Sequence, residues 1–194
     1  MFSIGSISPS IIQPLRYYFS KYTQASNMYW NEDEKLRTLD ISEAFDLNKI
    51  ALGEKPRISV TRGGFSIDKT GVSDNLAEGK PAALTRGNKD TTNLVLYRGT
   101  AVVVVEARNK GTCELLSDMV AHFIVWTRPI LCDELGWKEF GLPMMIGDCN
   151  LMNDEDVGVP KFQVQIQVPW IREEAWRVQT DGPELRAILH TITV

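Results

Sequence analysis

The chain has 194 residues, 43% hydrophobic and 24% charged, an ordinary globular balance that excludes a wholly disordered polymer. Its formal charge of −4 supplies no basic field for wrapping nucleic acid, although it suits a surface past which nucleic acid slides without sticking. Cys113, Cys132 and Cys149 are odd in number and widely spaced, which points to reduced, mostly buried thiols rather than a disulfide framework.

No charge occurs before Arg16, yet the basic start and compact apolar run of a signal peptide are missing, so the reading is a soluble protein made in the cytosol. Residues 1–10 form an uncharged, partly apolar arm, either a frayed terminus or a segment that docks on a neighbouring subunit. Ile11, Ile12, Leu15, Phe19 and Tyr22 then fall at helical spacing, and Ser10 with Gln13 resembles a capping box. Proline is tolerated only in the first helical turn, so Pro14 predicts a helix that starts close to it. Residues 29–52 fit both a helical and an alternating pattern and stay unassigned. Pro56 opens a strand over residues 57–67, with a bulge or bend at Gly63-Gly64. Residues 68–93 read as a long loop with four basic and four acidic side chains, hence no cationic clamp and a candidate for ordering against a partner.

Residues 94–107 (LVLYRGTAVVVVEA) predict an unusually long strand, roughly 45 Å at about 3.3 Å per residue. The four valines 102–105 are β-branched and suit burial on both faces. Such a strand either bends, with Gly99 the candidate, or projects beyond its own core and needs a neighbour. Arg98 and Glu106 interrupt its apolar run, so no membrane span is expected from it. Asn109-Lys110-Gly111 signals a turn, Thr112 is the expected N-cap, and Pro129 the expected stop of a helix over residues 112–127. Helical projection places Leu115, Leu116, Met119, Val120, Phe123 and Trp126 on its core face, with Ser117, Asp118, Ala121 and His122 opposite. Residues 133–160 look irregular. Phe162, Val164, Ile166, Val168 and Trp170 then alternate with Gln163, Gln165 and Gln167, and Pro169 places this strand at an edge or near a strand end. Residues 185–194 are apolar on both faces and predict a buried strand or one added to another sheet.

Little of this carries chemistry. Asp118 and His122 lie one helical turn apart and could form an acid–imidazole dyad, but no Gly-x-Ser-x-Gly turn supplies a nucleophile and a surface pair is the simpler reading. The cysteines lack the short spacing of a zinc site. The acidic run 148–156 breaks the order of a calcium loop and reads as a solvated loop. Gly79-Lys80-Pro81 lacks the rest of a phosphate loop, and Gly63-Gly64 does not extend to a dinucleotide fingerprint. Trp30, Trp126, Trp137, Trp170 and Trp176 are scattered as core packing would scatter them. The expectation is no catalytic, metal or cofactor site.

In order, an N-terminal helix, a strand opening PRISVTRGG, a long loop, the strand YRGTAVVVVEARNKG, the helix TCELLSDMVAHFIVW and the strand KFQVQIQVPW resemble the tail-terminator and tail-completion proteins of long-tailed bacteriophages. The resemblance covers residues 57–176; loop 68–93 and tail 177–194 exceed a minimal member. It implies a structural virion protein assembled in the host cytoplasm, a ring that is commonly a hexamer. Such a ring terminates the tail tube and joins it to the head connector. It implies no catalysis and no cofactor, with DNA passing through the lumen without specific contact and no membrane involved.

The expected fold is thus α/β in the α+β sense, a mostly antiparallel sheet with a long β-hairpin, covered on one face by the amphipathic helix. The organisation expected is a single domain 1–194 with an N-terminal arm 1–10, the loop 68–93 and a C-terminal extension 177–194. The rival functions are another phage neck, tube, baseplate or connector subunit, a small hydrolase using Asp118–His122, and a cytosolic ligand-binding module closed by the long loop.

Overall fold

The computed structural model describes residues 7–43, 55–69, 74–75, 80–81, 90–134, 137–153, 160–179 and 187–191. The chain begins with helix α1 (Ile7–Phe19) and strands β1 (Asp40–Glu43) and β2 (Arg57–Lys69). The short pair β3 (Asp74–Asn75) and β4 (Lys80–Pro81), strand β5 (Asp90–Ala107) and helix α2 (Lys110–Pro129) follow. A π-helical turn (Ile130–Glu134) leads to β6 (Trp137–Phe140), β7 (Met145–Ile146), β8 (Asn150–Asn153), β9 (Pro160–Gln179) and β10 (Ala187–Thr191). The fold is α+β. Its main sheet runs β1-β2-β5-β9, with β8, β7, β6 and β10 set one after another along the outer edge of β9. Every pairing in it is antiparallel except β1 on β2.

One face of this sheet is the core. Ile58 and Val60 of β2, Ala101, Val103 and Val105 of β5, and Val164, Ile166, Val168 and Trp170 of β9 point into it, as the period-two pattern of residues 162–170 predicts. Both helices cover that face. Ile7, Ile11, Ile12, Leu15 and Phe19 of α1 are buried, and the Tyr18 ring meets the Phe123 ring of α2 at 4.8 Å between centroids. Each fully buried aliphatic side chain contributes about 1.5–3 kcal/mol, so these stripes dominate local propensity. That explains Pro14. It sits inside α1 rather than near its start, because one more turn buries Ile7 and Ser8 and outweighs the backbone bond the proline removes. The N-terminal arm is correspondingly shorter than expected, since residues 7–10 are helix and residues 1–6 lie outside the described chain. Arg16 fastens α1 to the sheet by donating from Nε and Nη2 to the Ile41 carbonyl at 3.2 and 2.8 Å.

Helix α2 also departs from expectation at three points. Its N-cap is Asn109, whose side-chain oxygen accepts from the Gly111 and Thr112 amides at 2.8 and 3.3 Å, so the helix starts before Thr112. Asn109→Ala should lower stability by about 1 kcal/mol in urea titration, whereas Thr112→Ala should not act as a cap loss. Pro129 does not stop the helix; the chain relaxes into a π turn that seats Leu131 in the core. The buried face is rotated as well. Cys113, Leu116, Ser117, Val120, Ala121, Phe123 and Ile124 are buried, while Leu115 and Trp126 are 54% and 66% exposed. Small residues at 113, 117 and 121 let the helix approach the sheet closely, which projection by bulk alone does not foresee.

The strands are longer than predicted. β5 has 18 residues and β9 has 20, paired from Ala107–Phe162 to Asp90–Gln179. Asp68, Lys69 and residues 90–93 therefore belong to strands rather than to the loop, whose residues 70–73, 76–79 and 82–89 lie outside the described chain. The expected extension 177–194 contributes the end of β9 and all of β10, which adds to this same sheet. Gly63-Gly64 is the expected bulge, marked by a register shift between Arg62 and Phe65. Gly99 is not a bend. β5 runs through it, and the Trp170 indole fills the space where a side chain would stand.

The stretch 133–160, expected to be irregular, contains three strands, because β6, β7 and β8 borrow the hydrogen bonds of β9. A bulge between Trp137 and Glu139 turns both Trp137 and Phe140 inward, which hides the alternation from sequence. Pro169 lies in mid-strand, not at an edge. Its carbonyl accepts from the Gly141 amide at 2.8 Å, so its missing N–H faces the interval between β6 and β7 and costs no bond to β5.

Candidate assembly surfaces

Among the described residues, the chemistry-bearing side chains singled out in the sequence do not converge. His122 Nδ1 meets the backbone carbonyl of Asp118 at 2.8 Å, not its carboxylate, and both residues face solvent. The hydrolase reading loses its dyad there. No group of three or more metal-ligating side chains occurs among the described residues. Asp148 is exposed, and residues 154–156 of the acidic run lie outside the described chain. Lys80-Pro81 pairs with β3 as a strand; Gly79 is likewise outside. Trp137 and Trp170 are core residues packed edge to face at 5.8 Å, and Trp30 packs half-buried against that core. Trp126 corrects the expectation of core packing. A cleft of about 440 Å³ beside the start of α2 is lined by Asn27, Thr38, Lys55, Pro56, Asn109 and Thr112 among others. Neither Asp118 nor His122, which lie further along the helix, lines it.

The thiols are free, as expected. Cys113 is buried and donates to the carbonyls of Val105 and Phe162 at 3.5 and 3.3 Å. Burial, then the neighbouring Cys149, pushes its pKa from 9.0 up to about 12. Burial also raises Tyr22 from 10.0 to about 12, aided by the hydroxyl of Tyr18 at 3.0 Å. Both groups are held neutral by the fold, so their contribution is full below pH 9.0 and is lost as pH rises towards 12. Unfolding free energy should therefore fall across that alkaline window, and fall less steeply in Tyr22→Phe. Urea titrations at a series of pH values check this.

What the structure does bring together is surface. The face of the sheet opposite the helices carries the cross-strand rows Ser59–Val104–Gln165 and Thr61–Val102–Gln167, all uncharged. Charge flanks these rows at both ends: Arg57 stands opposite Glu106 and next to Gln163 at one, and Arg98 of β5 and Glu173 of β9 follow in the same alternation at the other. On the helix side, the outward face of α2 shows Leu115, Val125 and Trp126, continued by Ile130. Glu114, Asp118, His122 and Arg128 are exposed beside them, yet by length and composition the run Lys110–Asp133 is apolar enough to cross a membrane. The sequence expectation, drawn from the valine strand, missed that. In the fold the helix lies along β5 and β9, so its outward residues amount to an exposed apolar strip.

A third surface is the edge formed by β7 and β8. Met145, Ile146, Leu151 and Met152 are all half-exposed or more, with Leu142 beside them. The sequence signal was available, since these are the apolar residues of a segment otherwise rich in glycine, proline and acid. A fourth is the far end of the sheet. Among the described side chains, full burial stops at Ala101 on β5 and Trp170 on β9, while the strands continue pairing to Asp90 and Gln179. The stretch beyond Gly99 is a ribbon about 30 Å long, with Phe65 and Ile67 exposed on β2.

No family model and no curated protein matches this chain.

Proposed function

We propose that this chain is a structural virion protein, a subunit of a homo-oligomeric ring that terminates a phage tail tube and joins it to the head connector. The observation that carries this reading is a sheet that outgrows its core: β2, β5 and β9 go on pairing well past the last side chains that are fully buried among the described ones. A projecting ribbon that leaves Phe65 and Ile67 exposed gains most from a neighbour. The uncharged rows of Ser59, Thr61, Val102, Val104, Gln165 and Gln167 suit the wall of a lumen through which DNA passes without sticking. The apolar strip on α2 and the β7–β8 edge suit contacts with the tail tube and the head connector. No catalysis and no cofactor is part of this role, and assembly takes place in the host cytoplasm.

Light scattering after size-exclusion chromatography, with negative-stain images of the same peak, tests the reading. The expected particle is a closed ring with a central hole, commonly of six subunits in proteins of this kind. A particle with the mass of one 21.9 kDa chain at every concentration overturns it.

A further inference from the structure

One long margin of the sheet is half covered, and the other is built from short strands set along β9. On one margin, β1 pairs with residues 57–60 of β2, and residues 61–69 have no partner on that side among the described residues. Gly64, Phe65, Ser66 and Ile67 are all exposed, which means solvent reaches both faces of the sheet there. On the other margin, β10 covers residues 175–179 of β9, while the opposite end of that margin is formed by β7 and β8. Residues 145–148 and 150–152 are exposed without a break in alternation, again the mark of a free edge. The two free halves thus lie diagonally across the sheet.

We infer that copies of this chain join head to tail, the free half of β2 in one copy pairing antiparallel with the β7–β8 edge of the next. This inference rests on the ring reading and names its contact. Strand direction fits. β2 and β9 both run antiparallel to β5, and β7 and β8 run antiparallel to β9, so the next copy's β2 meets β7 and β8 antiparallel when the ring axis runs broadly along the strands. Side chains fit as well. Phe65 and Ile67 meet Met145, Ile146, Leu151 and Met152, and Arg62, stacked on the Phe65 ring at 5.1 Å, meets an edge that carries Asp148.

The diagonal also sets the geometry. Phe65 lies level with Trp170 of β9 through Gly99, whereas the middle of the β7–β8 edge lies level with Val164. That stagger is about 20 Å along the strands, against about 19 Å for four strands side by side. A sheet closed on itself absorbs such a stagger only by tilting its strands, here by about 45° to the ring axis, close to the tilt of closed barrels. Strand β1, which occupies the part of β2 level with β7 and β8, blocks the unstaggered alternative.

The test uses two variants of the full chain, each altered only at exposed positions. Phe65→Lys with Ile67→Lys blocks the β2 edge; Ile146→Lys with Leu151→Lys blocks the other. Circular dichroism confirms that both fold. Light scattering should find each variant monomeric alone, and an equimolar mixture should give a one-to-one dimer and nothing larger, because one intact edge of each kind remains. If the wild type forms rings that persist in either variant, this contact is wrong and the ring reading survives. A dimer formed by the Ile146/Leu151 variant alone, or a mixture that stays monomeric, also overturns head-to-tail pairing. A wild type that never exceeds one chain overturns the ring reading itself.

Discussion

Gly99→Val should cost about 3 kcal/mol, a large share of the stability of a domain this size. A Cβ at this position stands 2.4 Å from Cζ2 and 2.7 Å from Cε2 of Trp170, and 2.9 Å from Cβ of Phe65. Contacts that short are resolved only by movement. The Trp170 indole has nowhere to go, since it is 1% exposed and held edge to face against Trp137, which in turn packs against Phe140. Gly99 cannot retreat either, because β5 is bonded to β2 on one side and β9 on the other. The control is Gly64→Ala, where nothing lies within 4 Å of the new Cβ and the expected change is within about 0.5 kcal/mol. Urea unfolding of both variants gives the comparison. Trp170→Leu should recover part of the Gly99→Val loss, since the clash and the indole are then removed together. Losses that simply add in the double variant would mean that the indole does not occupy this space.

How much of this was readable in the sequence depends on how a residue earns its position. The alternation of residues 162–170 and the glycine pair at 63–64 are local patterns, and the structure follows them. Position 99 illustrates the limit. The glycine was visible, but its role as a seat for Trp170 depends on a register between β5 and β9 that no local pattern encodes. The same holds for β6, whose two core residues stand three apart because of a bulge, and for Pro169, tolerated because β6 and β7 leave an interval beside it. The surfaces were least legible. A free edge is a property of which strand lacks a neighbour, so the diagonal halves of the sheet exist only once all the pairings are known. Asp118–His122 shows the reverse case: the spacing was readable, but the imidazole turns to the nearer backbone carbonyl.

The rotation of α2 leads to the second large effect, a comparison in which the bigger side chain matters less. Val120→Asp should cost more than about 4 kcal/mol, and Trp126→Asp less than about 1 kcal/mol. Bulk and hydrophobicity alone suggest the opposite, and so does the projection that places both residues in the core. Val120 is fully buried among the residues that α2 presses onto the sheet, so a carboxylate there is stripped of water with no cation facing it in that core cluster. Trp126 is 66% exposed, and its ring contact is with His122 at 6.5 Å on the same outward side. An aspartate there keeps its hydration and pays mainly the small penalty of a negative charge near the end of a helix. If Val120→Asp does not accumulate as folded protein, Val120→Ala supplies a measurable value, expected near 2 kcal/mol from the lost methyls and the cavity they leave. The order of the two positions is what matters. A tryptophan more costly to replace than the valine would turn the helix by about a third of its circumference, withdraw the apolar strip from the surface, and leave the outward face of α2 with nothing to offer a partner.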